Sequence, residues 1–206
     1  MSKEISTPLA PGSGLAAVPV TRASAWLRSG AIVLAGSLFA ALCAHIALPL
    51  NFTPVPLSLA PFAVLVLGLL LNPRLAAATL GAYLLEGALG LPVFAPTPAI
   101  PGLAHLLGPA GGYLLAYPLA AALIAILVRR TVFGSGRGFV PAFLSAALGS
   151  LVILASGAVW LAALTHASLQ SVVSLAVLPF LPGDALKVAA AAALASAWAR
   201  LRRRTA

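Results

Sequence analysis

Asp184 and Lys187 stand three residues apart at the end of the stretch Val177–Lys187, VLPFLPGDALK, behind two prolines and a glycine. On a helix that spacing puts the amine about 4.5 Å further along the axis and on nearly the same face as the acid. A carboxylate in a first helical turn complements the macrodipole and can cap free N–H groups, whereas a cation there opposes the dipole. Lys187 is therefore the residue that helix structure explains least. Either a structural ion pair is built here, Asp184–Lys187 or Glu86–Lys187, or the two groups offer one acceptor and one donor to a polar solute. The second reading is preferred.

The elements that must position this pair are apolar. Of the 206 residues, 62% are hydrophobic and only 7% charged, against about 25% charged in a soluble domain. The mean hydropathy is +1.10. These values indicate an all-α polytopic membrane protein. The net charge of +9 does not point to nucleic acid, because the arginines flank apolar segments instead of clustering on one wetted face. Cys43 lies alone in an apolar run, so no disulfide framework is possible. The apolar run begins late and is followed by five more, unlike a cleaved signal.

Residues 1–24 read as a disordered cytoplasmic tail, and 25–206 as a transmembrane domain of six helices. Spans are expected at about 25–48, closed by Pro49, then 57–72, 75–90, 111–128 and 140–164, with the last from the PGD turn to Arg200–Arg204. Pro61 falls in the first turns of its span, where proline costs least, and Pro118 is a candidate kink. The Pro/Gly-rich segment 91–108 cannot cross lipid exposed and reads as an external loop or a lid. Residues 166–181 read as a partial helix on the outer side. The GSGRG loop (134–138) lacks the Lys-Ser/Thr ending of a phosphate-binding loop and reads as a connector. With six spans and both ends cytoplasmic, Arg22, Arg28, Arg74, Arg129, Arg130, Arg137 and the C-terminal arginines all fall on one side, and the three opposite loops carry no Lys or Arg. Trp26 and Trp198 mark the inner boundary and Trp160 the outer one.

That topology collects Glu86, Asp184, Lys187 and all three histidines in the outer half of the bundle. Glu86 could line a cavity, neutralise Lys187 or bond a neighbouring helix. Tyr83, Phe94, Tyr113 and Trp160 could pack against a ligand or serve as bundle and belt residues. His45, His105 and His166 lack an i,i+4 pairing and read as interfacial or capping groups, so no metal is expected. Gly36, Ala40 and Ala44 form a small-residue ridge, suited to helix packing within the bundle or to docking a partner. No activated serine, carboxylate cluster or Walker motif points to an enzyme, and no cofactor is expected.

Four segments resemble the BioY family, the biotin-binding S components of energy-coupling-factor (ECF) vitamin transporters: PVPLSLAPFAVLVLGLLLNPRL (54–75), AYLLEGALGLPVFA (82–95), LLGPAGGYLLA (106–116) and FLPGDALK (180–187). The likeness covers nearly the whole chain after residue 30. It implies the six-helix S-component fold in the cell membrane, with biotin bound near the outer face. It also implies a membrane T component and two ATPase subunits as partners, the T component docking on Gly36, Ala40 and Ala44. It makes Asp184 and Lys187 ligand contacts: the acid accepting from the ureido N–H groups, the amine donating to the ureido carbonyl or to the carboxylate. Glu86, Tyr113 and Trp160 are the further candidates for the site. The chain departs from the family pattern at Ala60 (often Gln), at Ala110 (often Thr) and in the loop APTPAIPG, which lacks the usual Asn and offers Thr97 as its nearest polar substitute. Two other functions compete with biotin uptake: a self-sufficient secondary transporter of an anionic solute, using Asp184 and Glu86 as a proton relay, and a structural scaffold with a buried ion pair.

Overall fold

The computed structural model describes residues 22–51, 53–96, 102–130 and 138–204. Their elements, in order, are α1 (Arg22–His45), β1 (Ala47–Leu48), β2 (Leu57–Ser58), α2 (Ala60–Leu70), α3 (Pro73–Ala88), α4 (Leu103–Leu106), α5 (Gly111–Arg129), α6 (Phe139–Thr165), α7 (Leu169–Ala176) and α8 (Leu181–Arg204). The tail expected over 1–24 lies outside the described residues, apart from residues 22–24, which open α1.

Proline and asparagine set several boundaries. Residues before a proline are pushed out of the α region, and Ala47–Leu48 before Pro49 are extended. They pair antiparallel with Leu57–Ser58 in the register Ala47↔Ser58 and Leu48↔Leu57. This clip takes up the residues expected to open the second span, so α2 starts at Ala60, with Pro61 in its first turn. Asn72 caps α3 by accepting from the Leu75 amide at 2.9 Å, and Pro73 occupies the first turn, where its missing N–H costs nothing.

Helix α5 is the central post, packing against α6, α3 and α2; α8 packs on α6 and α2, and α1 on α3 and α2. The core is built largely of alanine: Ala40, Ala44, Ala63, Ala76, Ala120, Ala121 and Ala125 are almost wholly enclosed. Small side chains let the backbones approach closely, which is how helices associate in a solvent as apolar as their own surfaces. The periphery is apolar too. Leu34, Leu38 and Leu42 on α1, Leu115 and Leu119 on α5, Leu151 on α6 and Leu186 on α8 all face outward. Apolar patches of that extent on every side fit a lipid environment and not water. This is a mostly helical membrane protein.

Among the described residues, three helices are long and apolar enough to cross a membrane: Ser24–His45, Gly111–Arg129 and Phe139–Thr165. Helix α2, at 11 residues, reaches only about 16 Å and α3, at 16 residues, about 24 Å, against a hydrocarbon core of about 30 Å. Helix α8 has 24 residues, but Asp184 and Lys187 open it and arginines close it. The expected partial helix within 166–181 is α7, entered from Ser168, whose side chain accepts from the Ser171 amide.

The small-residue ridge of α1 turns inward. Gly36, Ala40 and Ala44 are buried, and a Cβ at Gly36 would lie 2.5 Å from the Thr79 methyl of α3. Gly36 is taken up by packing on α3, and Ala40 and Ala44 are enclosed inside the bundle. The expectation that these three residues form a docking face is therefore corrected; the face α1 presents outward is Leu34, Leu38 and Leu42 instead.

Candidate functional site

One end of the bundle encloses a cavity with about 590 Å3 of space, its open mouth included. Its wall is drawn from the last turn of α1 (Ala44), the β2–α2 junction (Ser58, Ala60, Pro61), α3 (Tyr83), α4 (His105), the start of α5 (Tyr113, Tyr117), the middle of α6 (Ile153, Leu154) and the start of α8 (Asp184, Lys187). The arginines Arg28, Arg74, Arg129, Arg200 and Arg202 lie at the opposite ends of their helices. The cavity therefore sits at the arginine-free end of the bundle.

The acid and the amine meet inside it. Lys187 Nζ donates to Asp184 Oδ1 at 3.1 Å, and each side chain is only 9% exposed. The other carboxylate oxygen, Oδ2, accepts from Ser150 Oγ of α6 at 3.0 Å. Asp184 is thus not spent capping its own helix; the Asp184 amide bonds the Phe180 carbonyl, and the side chain turns across to α6. Desolvating an ammonium and a carboxylate costs several kcal/mol each, and their attraction offsets that cost only when the remaining hydrogen-bonding positions are also filled. Ser150 fills one. Both residues also line the cavity.

Glu86, expected as a site residue, lies elsewhere. It accepts from Ser37 Oγ of α1 at 2.8 Å and does not line the cavity. That bond holds it in the α1–α3 seam, so its expected role as a ligand contact is corrected to an α1–α3 tie. Trp160 is corrected as well: its indole N–H donates to the Gly108 carbonyl at 2.9 Å and its ring lies over Gly111 and Gly112. It pins the entry to α5, which places Ala110 and Tyr113 on the cavity wall. Tyr113 does line the cavity, its ring resting on Gly157 of α6. Thr97 lies outside the described residues.

The two family departures that fall on described residues, Ala60 and Ala110, are both wall residues. Their methyl side chains give this part of the wall no hydrogen-bonding groups. A second wall, formed by Tyr83, His105, Tyr113, Tyr117 and Phe180, is aromatic, and Phe94 backs it. Phe94 packs on Gly87, presents its edge to Tyr83 with ring centres 5.4 Å apart, and stacks on His105 at 5.0 Å. Tyr83 also stacks on Tyr117 at 6.4 Å, and Tyr113 leans on Phe180 at 6.0 Å.

Residues 15–204 match the BioY family. The chain belongs to the BioY family. Among its relatives, a probable biotin transporter BioY of Pyrococcus horikoshii is 40% identical over 142 residues, covering 69% of this chain and 79% of the relative. A biotin transporter BioY of Rhizobium etli is 31% identical, with 78% and 89% covered. The fold is similar to the crystal structure of the S-component for biotin from an ECF-type ABC transporter. That match has a TM-score of 0.77 and 25% identity, and covers 89% of this chain and 95% of that one.

Ser150, His105 and Tyr117 are wall or pair residues that reading the sequence for a BioY site leaves out. A lone serine in an apolar span carries no spacing signal, and its relation to Asp184 depends on how α6 meets α8. His105 is more legible, since it precedes the GPAGGY entry of α5. Burial pushes its imidazole below the ordinary value of 6.5. The unfolded chain then binds the proton more readily than the folded one, so the stability this group contributes is complete above pH 6.5 and falls as pH drops through the lowered folded value. Melting temperature in detergent should decline between about pH 7 and about pH 5. His105→Gln should flatten that slope; an unchanged slope would remove His105 as its origin.

Proposed function

We propose that this protein binds biotin as the substrate-specific subunit of an ECF-type transporter in the cell membrane. In this reading it crosses the membrane six times with both termini cytoplasmic, and a T component and two ATPase subunits energise uptake. The observation that carries the reading is the buried Asp184–Lys187 pair opening into a cavity at the arginine-free end of a BioY-family bundle. A cyclic urea places N–H donors beside a carbonyl acceptor. Asp184, with Ser150 and Lys187 occupying only part of its lone-pair capacity, accepts from the ureido N–H groups. Lys187 has N–H groups left to donate to the ureido carbonyl. The rings and alanines of the wall cover the apolar bicycle.

The positive-inside distribution of arginine supports the proposed orientation, with the cavity on the outer side. The short α2 and α3 are completed as spans by their flanking segments, including the β1–β2 clip at the cavity end. The proton-relay alternative needs Glu86 to communicate with Asp184. Glu86 instead bonds Ser37 outside the cavity, and this weighs against it.

Titrating the purified protein with biotin tests the reading: saturable binding at one site per chain is expected, and no saturable binding would sink it. Reconstituted uptake should require the ATPase module. Uptake that persists without that module and collapses with the proton gradient would return the secondary-transporter reading.

A further inference from the structure

We infer that the Tyr83 hydroxyl is a ligand-binding group, donating a hydrogen bond to the carboxylate of the bound acid; the inference rests on the biotin reading and deepens it. Tyr83 lines the cavity, none of its surface is exposed, and its Oη has no hydrogen-bond partner among the described residues. A buried hydroxyl stripped of water and left unpaired is costly, so one kept at a cavity wall points to a partner supplied by the ligand. The other buried hydroxyl without a partner among the described residues, on Thr79, lies a turn earlier on α3 against Gly36, and Thr79 is not a wall residue. The Tyr83 ring is held between Phe94 and Tyr117, so its hydroxyl is fixed before any ligand arrives.

The placement of the walls selects the carboxylate. Asp184 and Lys187 stand on α8, which packs on α2 and α6, while Tyr83 stands on α3, which packs on α1 and α5. A ligand with its urea against the pair therefore extends its other end toward the α3 wall. A carboxylate is poorly placed at the pair itself, where it would add a second anion to an ammonium already bound to Asp184. Asp184 is the only carboxylate among the wall residues, so the carboxylate nearest Tyr83, Glu86, acts from behind the wall and not from within the cavity. Glu86, one turn further along α3, is held off the cavity by Ser37. A phenol donating to a carboxylate makes a charge-assisted bond, stronger than one between neutral groups.

Tyr83→Phe removes the hydroxyl and leaves the ring contacts in place. The full-length protein and this variant are titrated in detergent with biotin and with biotinol, in which the carboxylate is an alcohol, and both are melted without ligand. Biotin affinity should fall about tenfold or more and biotinol affinity about threefold or less, because only biotin loses a charge-assisted bond. The ligand-free melting temperature should stay level or rise, since an unpaired buried group has been deleted. Unchanged biotin affinity, equal losses for both ligands, or a lower ligand-free melting temperature would overturn the inference. Wild-type protein that fails to bind biotin would overturn the biotin reading and this inference together. That result is distinct from wild type and variant binding biotin equally well.

Discussion

Asp184→Asn is expected to weaken biotin binding by about 100-fold or more, the scale set by losing a charged, desolvated partner. It should also destabilise the bundle by about 3–5 kcal/mol, because the Lys187 ammonium would remain buried without its anion. Two effects are combined in that variant, and Lys187→Met separates them. Lys187→Met leaves Asp184 with Ser150 alone, so it too should lose both stability and affinity. The double variant, Asp184→Asn with Lys187→Met, carries no buried charge at this position. It should regain most of the stability lost in either single variant while remaining unable to bind biotin. Melting in detergent together with biotin titration reads both quantities. If the double variant melted as low as the single ones, the ion pair would be more than a liability held for the ligand. If it bound biotin normally, Asp184 and Lys187 would not be the site.

Gly157→Ala should be nearly as damaging, although it introduces a single methyl group. The Tyr113 ring lies directly on Gly157, and an added Cβ would overlap three of its atoms. The ring cannot move away from α6 without entering the cavity it lines. Overpacking of this kind costs about 1–3 kcal/mol, and the displaced ring should lower biotin affinity about tenfold or more, equivalent to about 1.4 kcal/mol. Tyr113→Leu in the same chain should recover stability, as expected for two residues in direct contact. Gly81→Ala is the informative contrast: nothing lies near the position its Cβ would take. There alanine should add about 0.5–1 kcal/mol through helix propensity. Equal behaviour of the two variants in melting and titration would show that the α5–α6 seam is looser than its geometry implies.

Gly157, Gly112 and Gly111 illustrate why the site was only partly legible. Each reads in sequence as one more small residue in an apolar span, yet Tyr113 or Trp160 rests on each of them. Trp160 and Glu86 are misleading for a related reason. Both have the chemistry of a ligand contact, and both are engaged elsewhere, with the Gly108 carbonyl and with Ser37. The Gly36, Ala40 and Ala44 ridge carried two meanings, and only the packing of α3 against it decided between them. Helix α2 was expected to be longer because composition alone does not reveal that Leu57–Ser58 would pair with Ala47–Leu48.

The sequence by itself determined the membrane class, the helical architecture, the segregation of arginine to one end and the place of Asp184 and Lys187 on one helical face. These follow from local rules: apolar length, charge position, proline and helical periodicity act within a turn or a segment. Only the tertiary structure decided that the pair opens into a cavity, that Ser150 holds its acid, that Glu86 and Trp160 stand outside, and that the Tyr83 hydroxyl is enclosed without a partner. Those relations join α3, α5, α6 and α8 across long stretches of chain. They depend on how helices rotate about their axes as small residues let them close, and rotation is set by mutual packing, which no single segment encodes.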